Sequence, residues 1–305
     1  ELLRKLNLAE PCMRLTYQPS ILKPLPEHGR SVSYAVRFES DPRPALARLA
    51  QDFDPSWGVV ALGDPLVRAL GKEIPGLRMF PAFASGAATI PSNQHALWIF
   101  LRGASRGDVF DLSLKLDALL GESFELADAV DTFTYAGGRD LTGYEDGTEN
   151  PGPDKREAVA IAAPDSATPR SSFVAVQRWT HDLARFNAHP EAHRDNVIGR
   201  RLSDNQELAD APESAHVKRT AQESFAPAAF MWRRSQPWAS NDGSGLEFIA
   251  YGASLDPFER MMERMAGVED GIADALFTFS RPVNGGYYWA PPMKDGKLDF
   301  ALVGV

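Results

Sequence analysis

The sequence has almost no cysteine and no long apolar run. Cys12 is the single cysteine among 305 residues, and one thiol cannot form an intrachain disulfide framework, a CxxC redox pair, a thiolate zinc site or a CxxCH haem attachment. The nearest approach to a long apolar run is His95–Leu101, which has the length of a strand and not the roughly 18–20 residues of a membrane span. The sequence therefore predicts neither a disulfide scaffold nor a membrane partner.

Basic side chains are also in the minority. The chain carries 32 Lys and Arg against 41 Asp and Glu, a formal net charge of −9. Sequence-independent binding to the phosphate backbone of a nucleic acid needs a basic protein surface, so no nucleic-acid partner is expected. The stretch Glu1–Lys5 lacks the apolar segment and cleavage site of a signal peptide. Together with the lone cysteine, this predicts a cytoplasmic location.

Strand and helix periodicities alternate along the chain, and they do so twice. In the first half, strand patterns cover Ser31–Phe38, Trp57–Gly63, Arg78–Phe83, His95–Leu101 and Asp131–Gly137, and helical patterns cover Pro44–Phe53 and Val109–Leu120. In the second half, strand patterns cover Ser172–Arg178, Phe248–Ala253 and Ala275–Ser280, and helical patterns cover Asp182–Phe186, Asn196–Leu202 and Asp256–Met265.

The matched strands of the two halves lie about 140–150 residues apart, which indicates duplication of one βαββαβ unit. The predicted fold is therefore α+β, with two ferredoxin-like halves. We place the first half at residues 1–150, a linker at 151–171 and the second half at 172–305. The linker is predicted from its prolines and glycine, which break regular structure.

The most distinctive motif is the segment Gly-Tyr-Glu-Asp-Gly-Thr-Glu-Asn-Pro at Gly143–Pro151, here called the signature loop. Taken alone it is typical of a surface turn. Its acidic residues lack the spacing of a calcium loop, and no Gly-Lys-Ser/Thr follows as in a P-loop. His216 taken alone is more often a surface or core residue than a ligand. His181, His189 and His193 could share one helical face, but Pro190 interrupts that helix and weakens a three-histidine metal site.

Several motifs in one order resemble the dye-decolorising peroxidase family, in particular its bacterial class B members. The segments that carry the resemblance are Tyr17–Pro26, the Gly-x-x-Asp-Gly of the signature loop, Val176–Leu183, Ile198–Arg200, Ser214–Val217, Arg233–Ser235 and Phe279–Gly285. The resemblance covers nearly the whole chain. It implies two ferredoxin-like halves in a dimeric α+β barrel-like arrangement, which agrees with the duplication above.

The resemblance also implies a haem b cofactor and assigns roles around it. His216 matches the axial iron ligand, and Asp274 is the candidate acceptor for its second ring N–H. Asp146 and Arg233 match a distal pair that shuttles a proton and stabilises charge. The guanidinium is expected to lower the pKa of Asp146 so that this carboxyl is ionised at working pH. Ser235 is expected to hydrogen-bond water or peroxide.

Further cofactor contacts follow from the same resemblance. Gly147 belongs to the signature at the haem, Arg200 is a candidate partner of a haem propionate, with Arg201 as its local competitor, and Glu149 is expected at the entrance to the haem edge. The aromatic residues Trp179, Trp232, Trp238, Tyr251 and Trp289 are candidates for radical relays, with core packing as the alternative for each of them.

The function implied is reduction of hydrogen peroxide coupled to one-electron oxidation of bulky dye-like or phenolic donors. The expected partners are peroxide, a small-molecule electron donor and further copies of the chain in a homo-oligomer. One alternative is a non-enzymatic haem-binding or haem-handling protein on the same fold. A second is a cofactor-free protein, because a fold alone fixes no function.

Overall fold

The computed structural model describes residues 15–85 and 88–305, so Cys12 and the first fourteen residues of the predicted first half lie outside the described residues. The α-helices are α1 (Arg43–Asp52), α2 (Asp64–Ala69), α3 (Arg106–Leu120), α4 (Arg156–Ala160), α5 (Leu183–Asn187), α6 (Glu191–Ile198), α7 (His216–Arg219) and α8 (Asp256–Met265).

The strands alternate with these helices and with short 3₁₀ turns. They are β1 (Leu15–Thr16), β2 (His28–Val36), β3 (Gly58–Gly63), β4 (Phe83–Ser85), β5 (Ala88–Ile90), β6 (Leu97–Gly103), β7 (Phe124–Phe133), β8 (Ser172–His181), β9 (Trp232–Arg233), β10 (Gln236–Ser240), β11 (Gly243–Gly252), β12 (Ser280–Pro282), β13 (Gly286–Ala290), β14 (Met293–Lys294) and β15 (Lys297–Leu298). The 3₁₀ helices are Pro19–Ile21, Gln222–Ser224, Ala275–Thr278 and Ala301–Val303.

Antiparallel strands of the central sheet close into a barrel. Around it they follow in the order β8, β13, β3, β6, β2, β7, β10 and β11, and β11 then pairs with β8 again, from Gly252 opposite Phe173 to Gly245 opposite Thr180. Closure leaves no open edge in the ring of strands. The short strands β9 and β12 attach at its rim, on β11 and β8.

The barrel contains two four-stranded units of the same topology. In the first, β7, β2, β6 and β3 are neighbours in that order; in the second, β10, β11, β8 and β13 are neighbours. Each unit places its first and third strands in chain order at the centre, as a ferredoxin-like βαββαβ unit does. The duplicated α+β fold predicted from periodicity is confirmed, while the boundaries at 150 and 171 stay predictions.

The strands of the barrel bury side chains on both faces. Val59, Trp98 and Ile249 belong to the cluster that fills the inside, whereas Val60 and Leu62 belong to the cluster shared with the helices outside. Neighbouring residues of β3 thus point to opposite faces, as the pleat requires. The outer face of β8 and β11 is covered by α8, whose bounds are those predicted from its spacing.

Two strand predictions are wrong. Ala275–Thr278 is a 3₁₀ helix because Asp274 caps it, its Oδ1 accepting a hydrogen bond from the Leu276 N–H at 2.8 Å, and β13 is the fourth strand of the second unit. Arg78–Phe83 is not a strand either; pairing starts only at Phe83, after Pro81, which has no N–H to donate to a ladder.

Three further segments differ from their predicted extent. The strand predicted at Asp131–Gly137 is only the end of β7, which begins at Phe124 and stops at Phe133. The helix predicted at Asn196–Leu202 is instead α6, which ends where Gly199 turns into the left-handed region at φ +91°. A Cβ on that glycine would lie 2.3 Å from Cγ2 of Val217, so only glycine lets α6 approach α7 so closely. The predicted linker 151–171 carries the short helix α4, so its prolines do not abolish regular structure. In the described part of the chain, no helix combines the length and apolar character that crossing a membrane requires.

Candidate active site

His216 forms a hydrogen-bonded pair with a buried carboxylate. Its Nδ1 lies 2.8 Å from Oδ2 of Asp274, a residue whose side chain has no exposed surface. Because Oδ1 of Asp274 already accepts the Leu276 N–H, the carboxylate is held from two sides. An ionised carboxylate can only accept, so Nδ1 carries the proton and Nε2 is the nitrogen left for a ligand.

The backbone around Asp274 explains how residues so distant in sequence meet. The Asp274 N–H donates to the Met265 carbonyl at the end of α8, at 2.8 Å, and the Ala275 N–H donates to the Ser214 carbonyl at 2.7 Å. The segment that carries the carboxylate is therefore fastened both to α8 and to the turn before His216. This predicted pair is brought together by the fold.

His216, Asp146 and Arg233 border one cavity, here called the main cavity. It lies between the outer face of β8 and β11 and the helix α8. Its wall is largely apolar, with Trp179, Leu246, Phe248, Phe258, Met261, Met262, Met265 and Leu276 among the lining residues. An apolar wall with a few polar groups is typical of a site for an organic ligand.

Two amide side chains fasten the signature loop to the segment that carries Arg233. Oδ1 of Asn150 accepts the Arg233 N–H at 2.9 Å, and Nδ2 of Asn150 donates to the Arg233 carbonyl at 3.1 Å. Gln222, which is buried, donates to the Glu149 carbonyl at 2.5 Å and accepts the Met231 N–H at 3.0 Å. Neither amide was predicted from the sequence; the only signal was the position of Asn150 at the end of the signature loop.

Two opposing effects act on the pKa of Asp146. Its side chain is exposed toward the cavities that it borders, while protein atoms crowd around its carboxyl on the other sides. The resulting desolvation raises the pKa of Asp146 above its ordinary value, and the nearby Asp140 raises it further. Arg233 lowers this pKa, as expected, but its effect does not outweigh the desolvation.

A second cavity meets the main cavity at the Asp146–Arg233 pair, because both residues border the two spaces. Of the described residues, Gly147 and Ser235 border this second cavity and not the main one. The Ser235 hydroxyl is buried and accepts the Ile249 N–H at 3.3 Å. Its predicted bond to water or peroxide stays a prediction.

Arg200 and Glu149 bind each other. Arg200 Nη2 forms an ion pair with Glu149 and a second one with Glu207 at 3.3 Å, while Nη1 donates to the Asn205 carbonyl at 2.9 Å. Neither Arg200 nor Glu149 is among the described residues that border the main cavity. Arg201 pairs with Asp204 at 2.8 Å instead. The predicted propionate and entrance contacts therefore stay predictions.

Two residues that line the main cavity carry buried polar atoms without a partner among the described residues. Gln177 has no exposed surface, and neither its Nε2 nor its Oε1 has a hydrogen-bond partner among the described residues; Nε of Arg233 is likewise unpartnered. Trp179 is the relay candidate that borders this cavity, and its carbonyl accepts the Trp238 Nε1–H at 3.0 Å. Residues 15–85 and 88–305 contain no group of three or more His, Cys, Asp or Glu side chains arranged for a metal ion.

The fold defines a protein of the duplicated ferredoxin-like class whose strands close into a barrel, with His216, Asp146 and Arg233 bordering one cavity on the outer face of that barrel. Residues 137–295 match the family described as Dyp-type peroxidase, C-terminal. The chain is 30% identical over 237 residues to the dye-decolorizing peroxidase of Brevibacterium linens, and the match covers 73% of this chain and 64% of that protein. It is 29% identical over 210 residues to the dye-decolorizing peroxidase of Mycobacterium tuberculosis, with 67% and 63% covered.

Solved structures agree with the sequence comparison. A dye-decolorizing protein from V. cholerae superimposes with a TM-score of 0.79 at 31% identity, covering 89% of this chain and 96% of that one. A Dyp-type peroxidase protein from Shewanella oneidensis gives a TM-score of 0.84 at 27% identity, with 91% and 96% covered. A DypB variant of Rhodococcus jostii RHA1 in complex with heme shares the fold, with a TM-score of 0.80 at 24% identity, covering 89% and 95%.

The chain belongs to the Dyp-type peroxidase family. It spans just under two thirds of the length of the curated relatives named above.

Proposed function

We propose that this protein is a haem b peroxidase of the class B type, which reduces hydrogen peroxide and oxidises bulky dye-like or phenolic donors in one-electron steps. The observation that carries the proposal is one cavity bordered by His216, with its Nδ1 committed to Asp274 at 2.8 Å, and by the pair Asp146 and Arg233. The family to which the chain belongs and the haem complex of its Rhodococcus jostii neighbour support it.

The residues around the main cavity fit a haem. The apolar wall suits a flat macrocycle, and among the lining residues is Gln177, whose buried amide has no hydrogen-bond partner among the described residues. His216 would hold the iron through Nε2, and the bond from Nδ1 to Asp274 makes the imidazole a stronger donor. When bound, the haem supplies redox-active iron.

The remaining steps use the side chains of the chain. Asp146 accepts the proton that peroxide loses and returns it to the oxygen that leaves as water. Arg233 stabilises the negative charge on that oxygen, and its guanidinium can do so through several directed N–H groups. Asn150 holds the Arg233 backbone at 2.9 and 3.1 Å, so that this donor keeps its place beside Asp146.

Peroxide mixing tests the proposal against its alternatives. The purified protein supplemented with haem is expected to show a Soret band and a rapid spectral change with hydrogen peroxide. D146A or R233L is expected to retain haem and slow this change severely. H216A is expected to lose haem or bind it weakly. Haem binding without a peroxide reaction would indicate a haem-handling protein, and absence of any Soret band would overturn every haem-based function.

Three further properties belong to the same proposal. We place the protein in the cytoplasm, which the single cysteine supports. We divide the chain into halves at the linker 151–171. We also propose a homo-oligomer, supported by the exposed apolar side chains Phe110, Leu114 and Leu126, which are 58%, 55% and 53% exposed. Light scattering of the purified protein measures the oligomeric mass, and a monomer at micromolar concentration would contradict the last point.

A further inference from the structure

Three side chains outside the assigned machinery form a hydrogen-bonded row in the wall of the main cavity. Nε2 of His181 lies 3.2 Å from Oδ2 of Asp140, and Nδ1 of His181 lies 2.6 Å from Oγ of Ser280. His181 ends β8, Ser280 begins β12, and the two residues are opposite each other in that strand pair. Asp140 stands at the start of the turn that leads into the signature loop.

The row connects two spaces. Asp140 and His181 border the main cavity, whereas His181 and Ser280 border a groove on the other side of this wall, which Thr180, Asp182, Arg185 and Arg281 also line. His181 and Ser280 are 9% and 2% exposed, so the row is a buried part of the fold rather than a surface cluster. Most buried polar groups in proteins have a hydrogen-bond partner, and in this row both ring nitrogens of His181 and both carboxylate oxygens of Asp140 have one.

Asp140 is fixed more firmly than a surface carboxylate. Its Oδ1 accepts both the N–H and the hydroxyl of Thr142, at 2.8 and 2.6 Å, which leaves Oδ2 for His181. Its backbone N–H donates to the Tyr144 carbonyl at 2.9 Å, and its carbonyl accepts the Gly143 N–H at 2.9 Å. The residue therefore has one defined position, six residues before Asp146.

Asp140 carries its negative charge in this position. Burial by itself would raise the pKa of Asp140, but the hydrogen bonds and charge of His181, together with the bonds from Thr142, outweigh burial and lower that pKa below its ordinary value. Asp140 and Asp146 border the same cavity, so this charge acts on Asp146, whose pKa Arg233 and His216 lower. Around His181, Asp140 bonds the ring in the cavity wall, and the charged residues Asp182, Arg185 and Arg281 line the groove that His181 borders.

We propose that Asp140, held in place by His181 and Ser280, is a positioning residue whose fixed negative charge sets the pH range in which Asp146 acts as the proton acceptor. The inference rests on the proposed peroxidase function. Asp140 touches no reactant in this scheme; it acts through the proton affinity of Asp146. His181 keeps the charge in place by occupying the second carboxylate oxygen.

The variant D140N tests this role with little change in shape. Its Oδ1 can still accept both bonds from Thr142, and its amide N–H can donate to Nε2 of His181 if the ring proton moves to Nδ1 and faces Ser280. The hydrogen-bonded row of residues 140, 181 and 280 is kept in this variant, whereas the negative charge at position 140 is lost. Because a like charge no longer opposes ionisation of Asp146, the acid limb of the peroxide reaction is expected to move to lower pH by about one unit.

Two further variants separate charge from anchoring. H181Q offers an amide donor in place of Nε2 but removes the charge of His181 that favours the ionised form of Asp140, so its acid limb is expected to move in the same direction as in D140N and by no more. D195N removes another carboxylate that anchors the same region, since Oδ1 of Asp195 accepts the Tyr144 hydroxyl at 2.5 Å, and it should leave the limb in place. Thermal unfolding checks that all three variants fold.

The measurements are made on the haem-loaded protein between pH 3.5 and 8 (a range chosen to bracket ordinary carboxyl pKa values, roughly 4). Stopped-flow mixing with hydrogen peroxide gives the rate, and a pH titration of the resting absorption spectrum gives a second readout without turnover. A shift of both midpoints in D140N, with those of D195N unmoved, supports the proposal. Unmoved midpoints in D140N, or an equal shift in D195N, would overturn it. Failure of the wild type itself to react with peroxide would instead overturn the proposed function.

Discussion

Replacing Asn150 with alanine removes the two hydrogen bonds that join the signature loop to the backbone of Arg233, at 2.9 and 3.1 Å. Each bond contributes on the order of 1 kcal/mol, so the pair contributes about 2 kcal/mol. In N150A we expect the free energy of unfolding to fall by about this amount. The Asn150 amide and the Arg233 backbone form these bonds in a partly buried region, so water can replace the lost bonds only in part.

The same loss limits the effect on catalysis. If all of the roughly 2 kcal/mol serves to hold Arg233 in place for charge stabilisation, the rate of the peroxide reaction falls by at most about 30-fold, since about 1.4 kcal/mol corresponds to a factor of ten. We therefore expect N150A to react about 10- to 30-fold more slowly and to remain faster than R233L, which loses the guanidinium itself.

Stopped-flow mixing with hydrogen peroxide and urea unfolding measure the two quantities in one set of variants. T148A is a matched control, because Thr148 lies in the same loop and its hydroxyl accepts a bond from Asn205 at 3.0 Å without reaching Arg233. Its rate should stay within about threefold of wild type. An N150A rate equal to that of T148A, with stability reduced as expected, would refute the idea that these bonds position the arginine.

Three further predictions concern the cavity and its support. D274N should retain haem but raise the iron reduction potential, because a neutral partner of Nδ1 makes His216 a weaker donor; an unchanged potential by spectroelectrochemistry would contradict this. G199A should lower the free energy of unfolding by about 2–5 kcal/mol, from the left-handed backbone and the clash with Val217, and a melting temperature equal to wild type would contradict it. The pKa of Asp146 is raised, and only its ionised form accepts the proton. On acidification, the rate of the peroxide reaction should therefore begin to decline at a pH above the ordinary aspartate pKa of about 3.9. D146A should lose this acid limb of the pH–rate profile.

Regular elements with a long periodic pattern were predictable from the sequence. The helix at Asp256–Met265 has the predicted bounds because Phe258, Met261, Met262 and Met265 mark one helical face, and all four are buried. Short apolar runs were ambiguous. Ala275–Ser280 was predicted as a strand, but the cap supplied by Asp274 folds its start into a 3₁₀ helix.

The candidate site was predictable only in part. The predicted residues His216, Asp146 and Arg233 border one cavity, because the motifs that contain them lie on elements packed around α8 and the outer face of β8 and β11. Arg200 and Glu149 were expected at a cofactor and are found paired with each other. This ion pair joins two loops that are distant in sequence, so no local sequence pattern could predict it.

The strands and helices, the duplicated α+β architecture and the motifs that resemble one family could be predicted from the sequence, because these depend on neighbours within a few turns of chain. The folded structure was needed to show that β8 closes the barrel on β11, that Asn150 holds Arg233, and that Asp140 bonds His181. These contacts join segments far apart in the chain or depend on how a turn is buried. Their energies come from desolvation and hydrogen-bond geometry, which exist only once the chain has packed.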